Sequence, residues 1–458
     1  MAAKKILVIG GGPGGYPAAL RARELGAEVA LAEKSLIGGV CLNWGCIPSK
    51  SFLDAAHRFH TVSTLGALVD DSAKGALSGV LAGISWKKIQ SRRKGLLDKL
   101  RSGLRRTVES KGIRIVEGTA SFISDNEAEI KTAAGAVRET FDAAIIAAGT
   151  AAFYPPPFDA YKDKLLDNVS VFSLERKPKS VVIIGGGVIG LEFGCFFNAL
   201  GCEVSIVEMQ PALLPGEDEA VSRALAQSFE KRGVKLHLGK TARSVSFDGG
   251  MKTVALSDGT ALAAEEVLVA VGRVAELSAL NLDKIGVSWD RKGIKVDDRL
   301  RVSGKDNIYA VGDVNGLMQL AHAATAQGET AAANIMGVGD AYDNSAIPRC
   351  VYAWPEAASI GLNKAQAEKA GLTPKTHRAF FLGSGRALTQ NETEGFVQAV
   401  SDADTGRLLG AQIVGAGASE LIHIFAVALS AKMTVTQLRR VIFGHPTMSE
   451  TIHDALAR

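Results

Sequence analysis

The chain contains the segment KILVIGGGPGGYPAALRARELGAEVALAEK at residues 5–34, and a second segment, VVIIGGGVIGLEFGCFFNALGCEVSIVEM, follows at residues 181–209. The two segments share three glycines and a closing glutamate at a constant offset of 175 residues. The aligned pairs are Gly10 with Gly185, Gly12 with Gly187, Gly15 with Gly190, and Glu33 with Glu208. An internal repeat of this kind predicts two copies of one structural unit.

Each copy has the pattern of a strand, a glycine turn, a helix and a second strand that ends in an acid. This is the dinucleotide fingerprint in the context that it requires. The first glycine forms the tight turn, the second lets the backbone approach a pyrophosphate, and the third lets the helix pack on the strand. A turn that only packs a strand on a helix would explain one copy, but two copies with matching acids disfavour that reading. We predict an α/β fold with two Rossmann-like dinucleotide-binding domains.

Composition excludes several classes of protein. The 458 residues include 47% hydrophobic and 22% charged residues, which is ordinary for a globular protein. Lys and Arg number 52 against 48 Asp and Glu, and no run of five like charges occurs, so neither nucleic acid nor a membrane surface is expected as a partner. No apolar run reaches the roughly 18 residues of a membrane span. Strand-like sequence begins at Lys5, which leaves no room for a signal peptide, and we expect a cytoplasmic protein.

The second fingerprint favours NAD over NADP. A 2′-phosphate requires Arg or Lys near the end of the second strand, and none occurs from Val204 through Ser222. The carboxylate of Glu208 would also repel a phosphate.

Two close cysteines, Cys41 and Cys46, lie in the segment IGGVCLNWGCIPSK at residues 37–50. Zinc would need two further ligands, and none is near in the sequence. Two inert thiols or a redox-active disulfide remain possible. Residues five apart in a regular helix have Cα atoms roughly 8–9 Å apart, whereas a disulfide needs about 4.4–6.8 Å. The pair can therefore close only in a distorted turn, which the surrounding glycines and Pro48 favour.

A disulfide beside the first fingerprint suggests the identity of the first nucleotide. NAD does not pass hydride to a disulfide in one simple step, whereas a flavin accepts hydride and passes on an electron pair. We therefore expect FAD at the first fingerprint and NAD at the second. Lys50, one helical turn after Cys46, adds positive charge that favours a thiolate. The other three cysteines, Cys195, Cys202 and Cys350, are expected to be packing residues.

The pattern of strands, helices and turns divides the chain into four segments. We predict an FAD-binding domain in residues 1–150 and 273–345, an NAD-binding domain in residues 151–272, and an α+β domain in residues 346–458. The proline cluster at Tyr154–Pro157 marks the first boundary.

Over nearly its whole length the chain resembles the dihydrolipoamide dehydrogenases of the pyridine nucleotide–disulfide oxidoreductase family. The most specific motif is CLNWGCIPSK at residues 41–50, and the motifs GGGVIGLEFG, IYAVGDV, VYAWPE and FGHPTMSE follow in the family's order. The chain departs from the family pattern at Pro17, which only the first turn of a helix tolerates, and at Ala148, Ala275 and Gly444.

The resemblance implies a role for each matching residue. Cys41 would exchange with a dithiol substrate, and Cys46 would lie against the flavin in a charge-transfer contact. His445 would be the acid/base and Glu450 its orienting partner, acting on the cysteines of a second subunit. Thr447–Glu450 also fits a helix capping box, so Glu450 would have two tasks. A cis bond between His445 and Pro446 would fit this motif.

The nucleotide sites follow in the same way from the resemblance. Lys50 would sit near the flavin ring, paired with Glu192. The expected FAD residues are Gly10, Gly12, Gly15, Glu33, Lys50, Gly312, Asp313 and His322. The expected NAD residues are Gly185, Gly187, Gly190, Glu192, Glu208, Gly272 and Arg273.

The implied activity is oxidation of dihydrolipoyl groups to lipoyl groups by NAD⁺. The implied assembly is a homodimer held by the C-terminal domain. Its partners would be the dihydrolipoyl domains of 2-oxo acid dehydrogenase complexes or of a glycine cleavage system. Two alternatives are another disulfide or metal-ion reductase of the same family, and a non-catalytic scaffold subunit. The first lacks support because the chain ends in HDALAR without a C-terminal cysteine pair, and the second because both cysteines, His445 and Glu450 are all retained.

Overall fold

The structure is a computed structural model that describes residues 3–458. It divides into two compact units. The first comprises the described residues up to Ser51 together with Lys87–Phe153 and Gly272–Asn344. The second comprises Phe52–Trp86, Tyr154–Val271 and Ser345–Arg458.

The N-terminal third of the chain begins with the first fingerprint and continues through four helices into a series of short strands. Its helices are α1 (Gly15–Glu24), α2 (Gly39–Trp44), α3 (Cys46–Thr64), α4 (Asp71–Ala82) and α5 (Trp86–Ser110). Its strands are β1 (Lys5–Ile9), β2 (Glu28–Glu33), β3 (Arg114–Glu117), β4 (Thr119–Ser124), β5 (Glu127–Thr132), β6 (Gly135–Thr140), β7 (Ala143–Ile146) and β8 (Thr150–Ala152).

The middle of the chain contains the second fingerprint and then returns to short strands. Its helices are α6 (Val188–Ala199), α7 (Glu219–Lys231) and α8 (Ala321–Ile335). Its strands are β9 (Ser180–Ile184), β10 (Glu203–Glu208), β11 (Lys235–Leu238), β12 (Ala242–Asp248), β13 (Met251–Leu256), β14 (Ala261–Ala264), β15 (Glu266–Val269), β16 (Arg273–Ala275), β17 (Trp289–Asp290), β18 (Gly293–Ile294) and β19 (Ile308–Ala310).

The C-terminal quarter is an antiparallel sheet with helices. Its strands are β20 (Arg349–Val351), β21 (Ala357–Gly361), β22 (Pro374–Phe380), β23 (Phe396–Asp402) and β24 (Leu408–Val414). Its helices are α9 (Lys364–Lys369), α10 (Gly385–Gln390), α11 (Ala418–Ser430), α12 (Val435–Arg439) and α13 (Glu450–Leu456). Short 3-10 helices occur at Leu65–Ala67, Phe158–Lys164, Ser170–Ser173, Ser278–Leu280, Leu282–Ile285, Gly312–Asn315 and Phe381–Gly383.

The first unit is built on a five-stranded parallel sheet in the order β19-β7-β1-β2-β3. Alternate residues of β1 point to opposite faces, so Ile6 packs in one hydrophobic cluster and Leu7 in another. Helix α1 covers one face, and the antiparallel sheet β4-β5-β6 covers the other. Burial on both faces explains why β1 is a continuous apolar run.

The second unit contains the second copy of the same arrangement. Its four-stranded parallel sheet has the order β11-β10-β9-β15, and the antiparallel sheet β12-β13-β14 lies between β11 and β15 in the chain. The register repeats as well, because Lys5 pairs with Glu28 in the first sheet and Ser180 with Glu203 in the second. The repeat that the sequence indicates over about 30 residues therefore extends over a whole domain, and the predicted pair of Rossmann-like domains is confirmed.

The C-terminal sheet of the second unit has the order β20-β21-β24-β23-β22, and all its pairs are antiparallel. Helices α11 and α13 pack on it around Ile422, Phe425 and Ile452. This confirms the α+β character predicted for residues 346–458. Within the described residues, no helix is both long enough and apolar enough to cross a membrane.

Candidate active site

The three glycines of each fingerprint have three different surroundings. A Cβ on Gly10 would lie 2.3 Å from the carbonyl oxygen of Ala147, and the φ angle of Gly10 is +106°, so this turn needs glycine. A Cβ on Gly15 would lie 1.8 Å from the Gly10 carbonyl oxygen, which requires glycine for packing of the helix. A Cβ on Gly12 would meet only the Gly39 Cα within 4 Å, at 3.7 Å. The open space at Gly12 fits the close approach of a pyrophosphate to the backbone.

The second fingerprint repeats these surroundings. A Cβ on Gly185 would lie 2.3 Å from the Ala270 carbonyl oxygen, and one on Gly190 would lie 2.0 Å from the Gly185 carbonyl oxygen. A Cβ on Gly187 would meet no heavy atom within 4 Å. Both turns therefore fit a dinucleotide, with one open glycine between two packed ones.

The closing glutamates hold their own fingerprint turns. Glu33 is buried, and its two carboxylate oxygens accept hydrogen bonds from the backbone N–H groups of Gly11 and Ser35, each at 2.7 Å. Glu208 accepts in the same way from Gly186 and Gln210, each at 2.8 Å. A carboxylate accepts up to four hydrogen bonds, so each retains capacity for ribose hydroxyls.

Lys240 lies close to Glu208 in the structure, although it is 32 residues later in the sequence. Its backbone N–H donates to the Glu208 carbonyl oxygen at 3.0 Å. Its ammonium group is 3.0 Å from Asp258, whose pKa lies below its usual range because of the Thr260 backbone N–H and then Lys240. The Lys240 ammonium group therefore forms an ion pair with Asp258.

The two candidate redox cysteines flank a break between two helices. Cys41 lies in α2, and Cys46 is the first residue of α3. Gly45 separates the helices, and a Cβ there would lie 3.0 Å from the Val40 carbonyl oxygen. The predicted distorted turn is confirmed, and the Cys41 thiol hydrogen-bonds to the side chain of Cys46.

Helix α2 is fixed to the first fingerprint turn. The Gly38 N–H donates to the Gly11 carbonyl oxygen at 2.8 Å, and a Cβ on Gly39 would lie 2.7 Å from the Gly12 Cα. Buried Asn43 donates from Nδ2 to the carbonyl oxygen of Gly39 at 2.9 Å, and this hydrogen bond links Asn43 to the first residue of helix α2. The cysteines are thereby held beside the expected flavin nucleotide. No sequence pattern marks Asn43 beyond its place between the cysteines.

The surroundings of Cys41 favour its protonated form in this thiol state. Both cysteines are thiols in the structure. The pKa of Cys41 lies well above its ordinary value because of the hydrogen bond with Cys46, followed by desolvation, while the charge of Lys50 acts in the opposite direction. The pKa of Tyr16 is raised by burial and then by the charge of a Cys41 thiolate.

Asp313 is held by residues distant in sequence. Its Oδ2 accepts a hydrogen bond of 3.0 Å from the Thr150 hydroxyl. The preceding Gly312 donates its N–H to Oε1 of buried Gln327 at 2.7 Å. Gln327 is the polar member of the buried stripe of α8, and that position is the sequence signal that could have identified it. Thr150 carried no such signal.

His445 and Glu450 form the expected pair. Nδ1 of His445 is 2.9 Å from Oε1 of Glu450, and the His445 side chain is 80% exposed. Glu450 Oε2 accepts from the Thr447 N–H at 2.8 Å. These contacts hold the pKa of Glu450 below its usual range, with the Thr447 bond the larger cause. The His445–Pro446 bond is cis, as expected.

The capping box predicted at Thr447 is only half formed. Helix α13 begins at Glu450, with Ser449 and not Thr447 at its N-cap. The Thr447 hydroxyl donates to the Gly444 carbonyl oxygen at 2.7 Å, so it does not cap the helix. Glu450 nevertheless has two tasks, because one oxygen holds Thr447 and the other holds His445.

The remaining predicted residues lie as follows. Glu192 is buried on α6 and accepts from the Tyr352 N–H at 3.2 Å. His322 is exposed in the first turn of α8. Gly272 has a φ of +127°, and Arg273 lies in β16 and donates to the Thr150 hydroxyl at 2.9 Å. Pro17 lies in the first turn of α1, where proline is tolerated.

The other cysteines are separate from the redox pair. Cys195 and Cys202 are buried and Cys350 is half-buried. Burial raises the pKa of Cys195 to about 12 and that of Cys202 to about 11, which makes both thiols unreactive near neutral pH.

Comparisons with known proteins agree with this geometry. Residues 4–328 match the pyridine nucleotide-disulphide oxidoreductase family, and residues 347–456 match the dimerisation domain of that family. The chain is 36% identical to dihydrolipoyl dehydrogenase 2 of Haloarcula marismortui, over 99% of this chain and 96% of the relative.

Two solved structures are similar over the whole length. The crystal structure of LpdA from Mycobacterium tuberculosis has a TM-score of 0.91 and 26% identity, covering 99% of each chain. The Cu(II) complex of RclA, an HOCl-induced flavoprotein disulfide reductase from Escherichia coli, has a TM-score of 0.88 and 26% identity, covering 100% of this chain and 99% of that one. From the matched fingerprints, cysteine motif and dimerisation domain, the chain belongs to the pyridine nucleotide-disulphide oxidoreductase family.

Proposed function

We propose that this chain is a dihydrolipoyl dehydrogenase, which oxidises dihydrolipoyl groups to lipoyl groups and reduces NAD⁺ with FAD as its bound cofactor. The observation that carries the proposal is the Cys41–Cys46 pair, hydrogen-bonded across a helix break that is fixed to a dinucleotide turn. The 36% identity with a dihydrolipoyl dehydrogenase over 99% of the chain supports the same activity.

The cysteines exchange a disulfide with the substrate. In the oxidised enzyme, one substrate thiolate attacks Sγ of Cys41, forms a mixed disulfide and displaces Cys46 as a thiolate. The second substrate thiolate then attacks the substrate sulfur of the mixed disulfide, which releases the cyclic lipoyl disulfide and Cys41. The substrate loses two electrons and two protons, and the cysteine pair gains the two electrons.

A base must remove the substrate's thiol protons, because the thiolate is the nucleophile. His445 has the chemistry for this, since an imidazole can accept a proton and later donate it. Glu450 accepts from Nδ1 and so leaves Nε2 to receive the proton. That tautomer is assigned from the hydrogen bond. The exposure of His445 suits a group that acts on a second subunit, and the match of residues 347–456 to a dimerisation domain supports a homodimer.

The nucleotide sites complete the electron path. FAD bound at the first fingerprint would supply the two-electron chemistry that links the cysteine pair to NAD⁺. The first fingerprint, Glu33 and Asp313 bind FAD, while the second fingerprint and Glu208 bind NAD. Lys50 stabilises negative charge at the cysteines. The pairing of Lys50 with Glu192, the contact of His322 with the flavin, and the four domain boundaries remain predictions.

The natural substrate is the dihydrolipoyl group of a protein domain, in a 2-oxo acid dehydrogenase complex or a glycine cleavage system. A cytoplasmic location is part of this proposal. A second candidate, reduction of another disulfide or of a metal ion, has support in the structural similarity to RclA. The higher sequence identity with dihydrolipoyl dehydrogenases favours the first candidate.

The test is a substrate panel with the purified holoenzyme. We expect NAD⁺-dependent oxidation of dihydrolipoamide to exceed NADH-dependent reduction of glutathione disulfide, mercuric ion and Cu(II) by at least about a hundredfold in kcat/KM. Cys41→Ser serves as the control that removes all dithiol chemistry. A reversed order of substrates would replace the first candidate with the second, and a colourless, inactive protein would indicate a scaffold.

A further inference from the structure

Arg273 lies in a two-stranded antiparallel ribbon of the first unit. Strand β16 pairs with β8, with Arg273 opposite Ala152 and Ala275 opposite Thr150. Residues diagonal across such a pair share one face and approach closely enough for long side chains to touch. The ribbon thereby places the Arg273 guanidinium against Thr150.

A directed chain of hydrogen bonds runs from Arg273 to Asp313. Arg273 Nε donates to Oγ1 of Thr150 at 2.9 Å, and its Nη2 donates to the Thr150 carbonyl oxygen. The Thr150 hydroxyl donates to Oδ2 of Asp313 at 3.0 Å. Arginine has donors only. The hydroxyl oxygen must therefore accept from Arg273, which leaves its single hydrogen for Asp313.

The backbone of the Asp313 segment is fixed independently. Oε1 of Gln327 accepts from the Gly312 N–H at 2.7 Å and from Nδ2 of Asn315 at 2.8 Å. The Gln327 contacts fix the backbone on either side of Asp313. The Thr150 hydrogen bond fixes the orientation of the Asp313 carboxylate. The two constraints come from different elements and can be removed separately.

We propose that Arg273 is a positioning residue for FAD: through Thr150 it holds the Asp313 carboxylate in the orientation that accepts a hydrogen bond from bound FAD. The resemblance led us to expect Arg273 at the NAD site, and this assignment differs from that expectation. The proposal rests on the proposed function only in that FAD is bound beside Asp313.

The charge environment of Asp313 supports this role. Desolvation raises the pKa of Asp313, while the Thr150 hydrogen bond and the charge of Arg273 act in the opposite direction. The charge of Arg273 therefore favours the ionised form of the Asp313 carboxyl. Loss of Arg273 would then weaken FAD retention most at low pH, because the protonated carboxyl accepts hydrogen bonds less well.

The experiment measures release of FAD from diluted holoenzyme by flavin fluorescence, which gives the dissociation constant. We expect Arg273→Met and Thr150→Val each to raise this constant about tenfold, the scale of a hydrogen bond to a charged group. Thr150→Ser retains the hydroxyl and should restore the wild-type value. Arg291→Met is the matched control, because Arg291 is an exposed arginine of the same unit that stacks 5.3 Å from the Phe153 ring.

Three further readouts separate positioning from general damage. The double variant Arg273→Met/Thr150→Val should retain FAD as well as Thr150→Val alone, because the two groups act in series. As the pH is lowered, FAD binding should begin to weaken at a higher pH in Arg273→Met than in the wild type. The KM for NAD⁺, measured with excess FAD, should be unchanged in Arg273→Met.

Several outcomes would overturn the proposal. Unchanged FAD release in Arg273→Met, additive effects in the double variant, or a raised KM for NAD⁺ with FAD retained would each contradict it. If Arg273→Met fails to fold, the Thr150→Val and Thr150→Ser pair carries the same test. If the wild type itself binds no FAD, the proposed function fails, which differs from a wild type and a variant that hold FAD equally.

Discussion

Individual side chains in this protein combine structural and chemical tasks. Glu208 holds the fingerprint turn through the N–H groups of Gly186 and Gln210, and in the proposed NAD site it also supplies an acceptor for ribose. Glu450 orients His445 and also holds Thr447. A substitution at either glutamate therefore changes local structure together with ligand contacts, and a useful experiment must separate the two.

Glu208 provides such an experiment for nucleotide choice. Glu208→Arg replaces a ribose acceptor with a phosphate partner, so we expect weaker binding of NAD and improved use of NADP. Glu208→Gln keeps one acceptor oxygen for the turn and brings no positive charge, so it should weaken NAD without gaining NADP. The measurement is kcat/KM with each nucleotide. An unchanged preference in Glu208→Arg would show that the adenosine ribose lies elsewhere.

The residues that could be predicted from sequence are those whose roles depend on local structure. The fingerprint glycines and the closing glutamate of each copy lie in one strand–turn–helix–strand unit, with a sequence separation of only 22 between Gly11 and Glu33 and between Gly186 and Glu208. Thr150 could not be predicted, because its partner Asp313 lies 163 residues away. A hydroxyl near a strand end has no pattern that reveals such a contact.

Secondary-structure elements follow the repeat more fully than the sequence shows. The antiparallel sheets β4-β5-β6 and β12-β13-β14 each lie in the chain just before the last strand that their copy contributes to its parallel sheet. Their sequences nevertheless share no motif. Side chains of a three-stranded sheet need only the right face to be apolar, so their identities are free to diverge. The first and third glycines of each fingerprint cannot diverge, because a backbone carbonyl oxygen fills the space where a side chain would be.

Two glycines of the second fingerprint, Gly187 and Gly190, allow a test of the difference between an open and a packed glycine. Gly187→Ala meets no atom within 4 Å and should leave the free energy of unfolding unchanged, but its methyl group enters the pyrophosphate cradle and should weaken NAD binding about tenfold or more. Gly190→Ala would place its Cβ 2.0 Å from the Gly185 carbonyl oxygen and should destabilise the domain by about 3 kcal/mol. Urea unfolding and NAD titration measure the two effects. Equal stability losses in both variants would contradict the assigned roles.

At the scale of the whole molecule, the proposed active site requires two chains. His445 is highly exposed, and residues 347–456 match a dimerisation domain. A cysteine pair from one subunit and His445 from the other would give two shared sites in each dimer. The coarse assembly follows from the family, whereas the shared site is a proposal that a complementation experiment can test.

Co-expression of Cys46→Ser with His445→Gln tests the shared site. Each mutant homodimer should be nearly inactive. Random pairing makes half of the dimers hybrid, and each hybrid has one intact site, so activity should recover to roughly a quarter of the wild-type value. Hybrids isolated with two affinity tags that show no more activity than the parents would contradict the shared site, since a site within one chain cannot be restored by mixing.

The central claim is that electrons pass from a dithiol through Cys41 and Cys46 to the flavin and then to NAD⁺, and an anaerobic single turnover tests it most directly. One equivalent of dihydrolipoamide per subunit should produce a long-wavelength absorbance band in the wild type, and added NAD⁺ should remove the band and form one equivalent of NADH. Cys46→Ser should keep FAD but lack the band, and Cys41→Ser should show the band without reductant because Cys46 is then a permanent thiol. A wild type that forms no band and no NADH, or serine variants with the two spectra exchanged, would contradict the account.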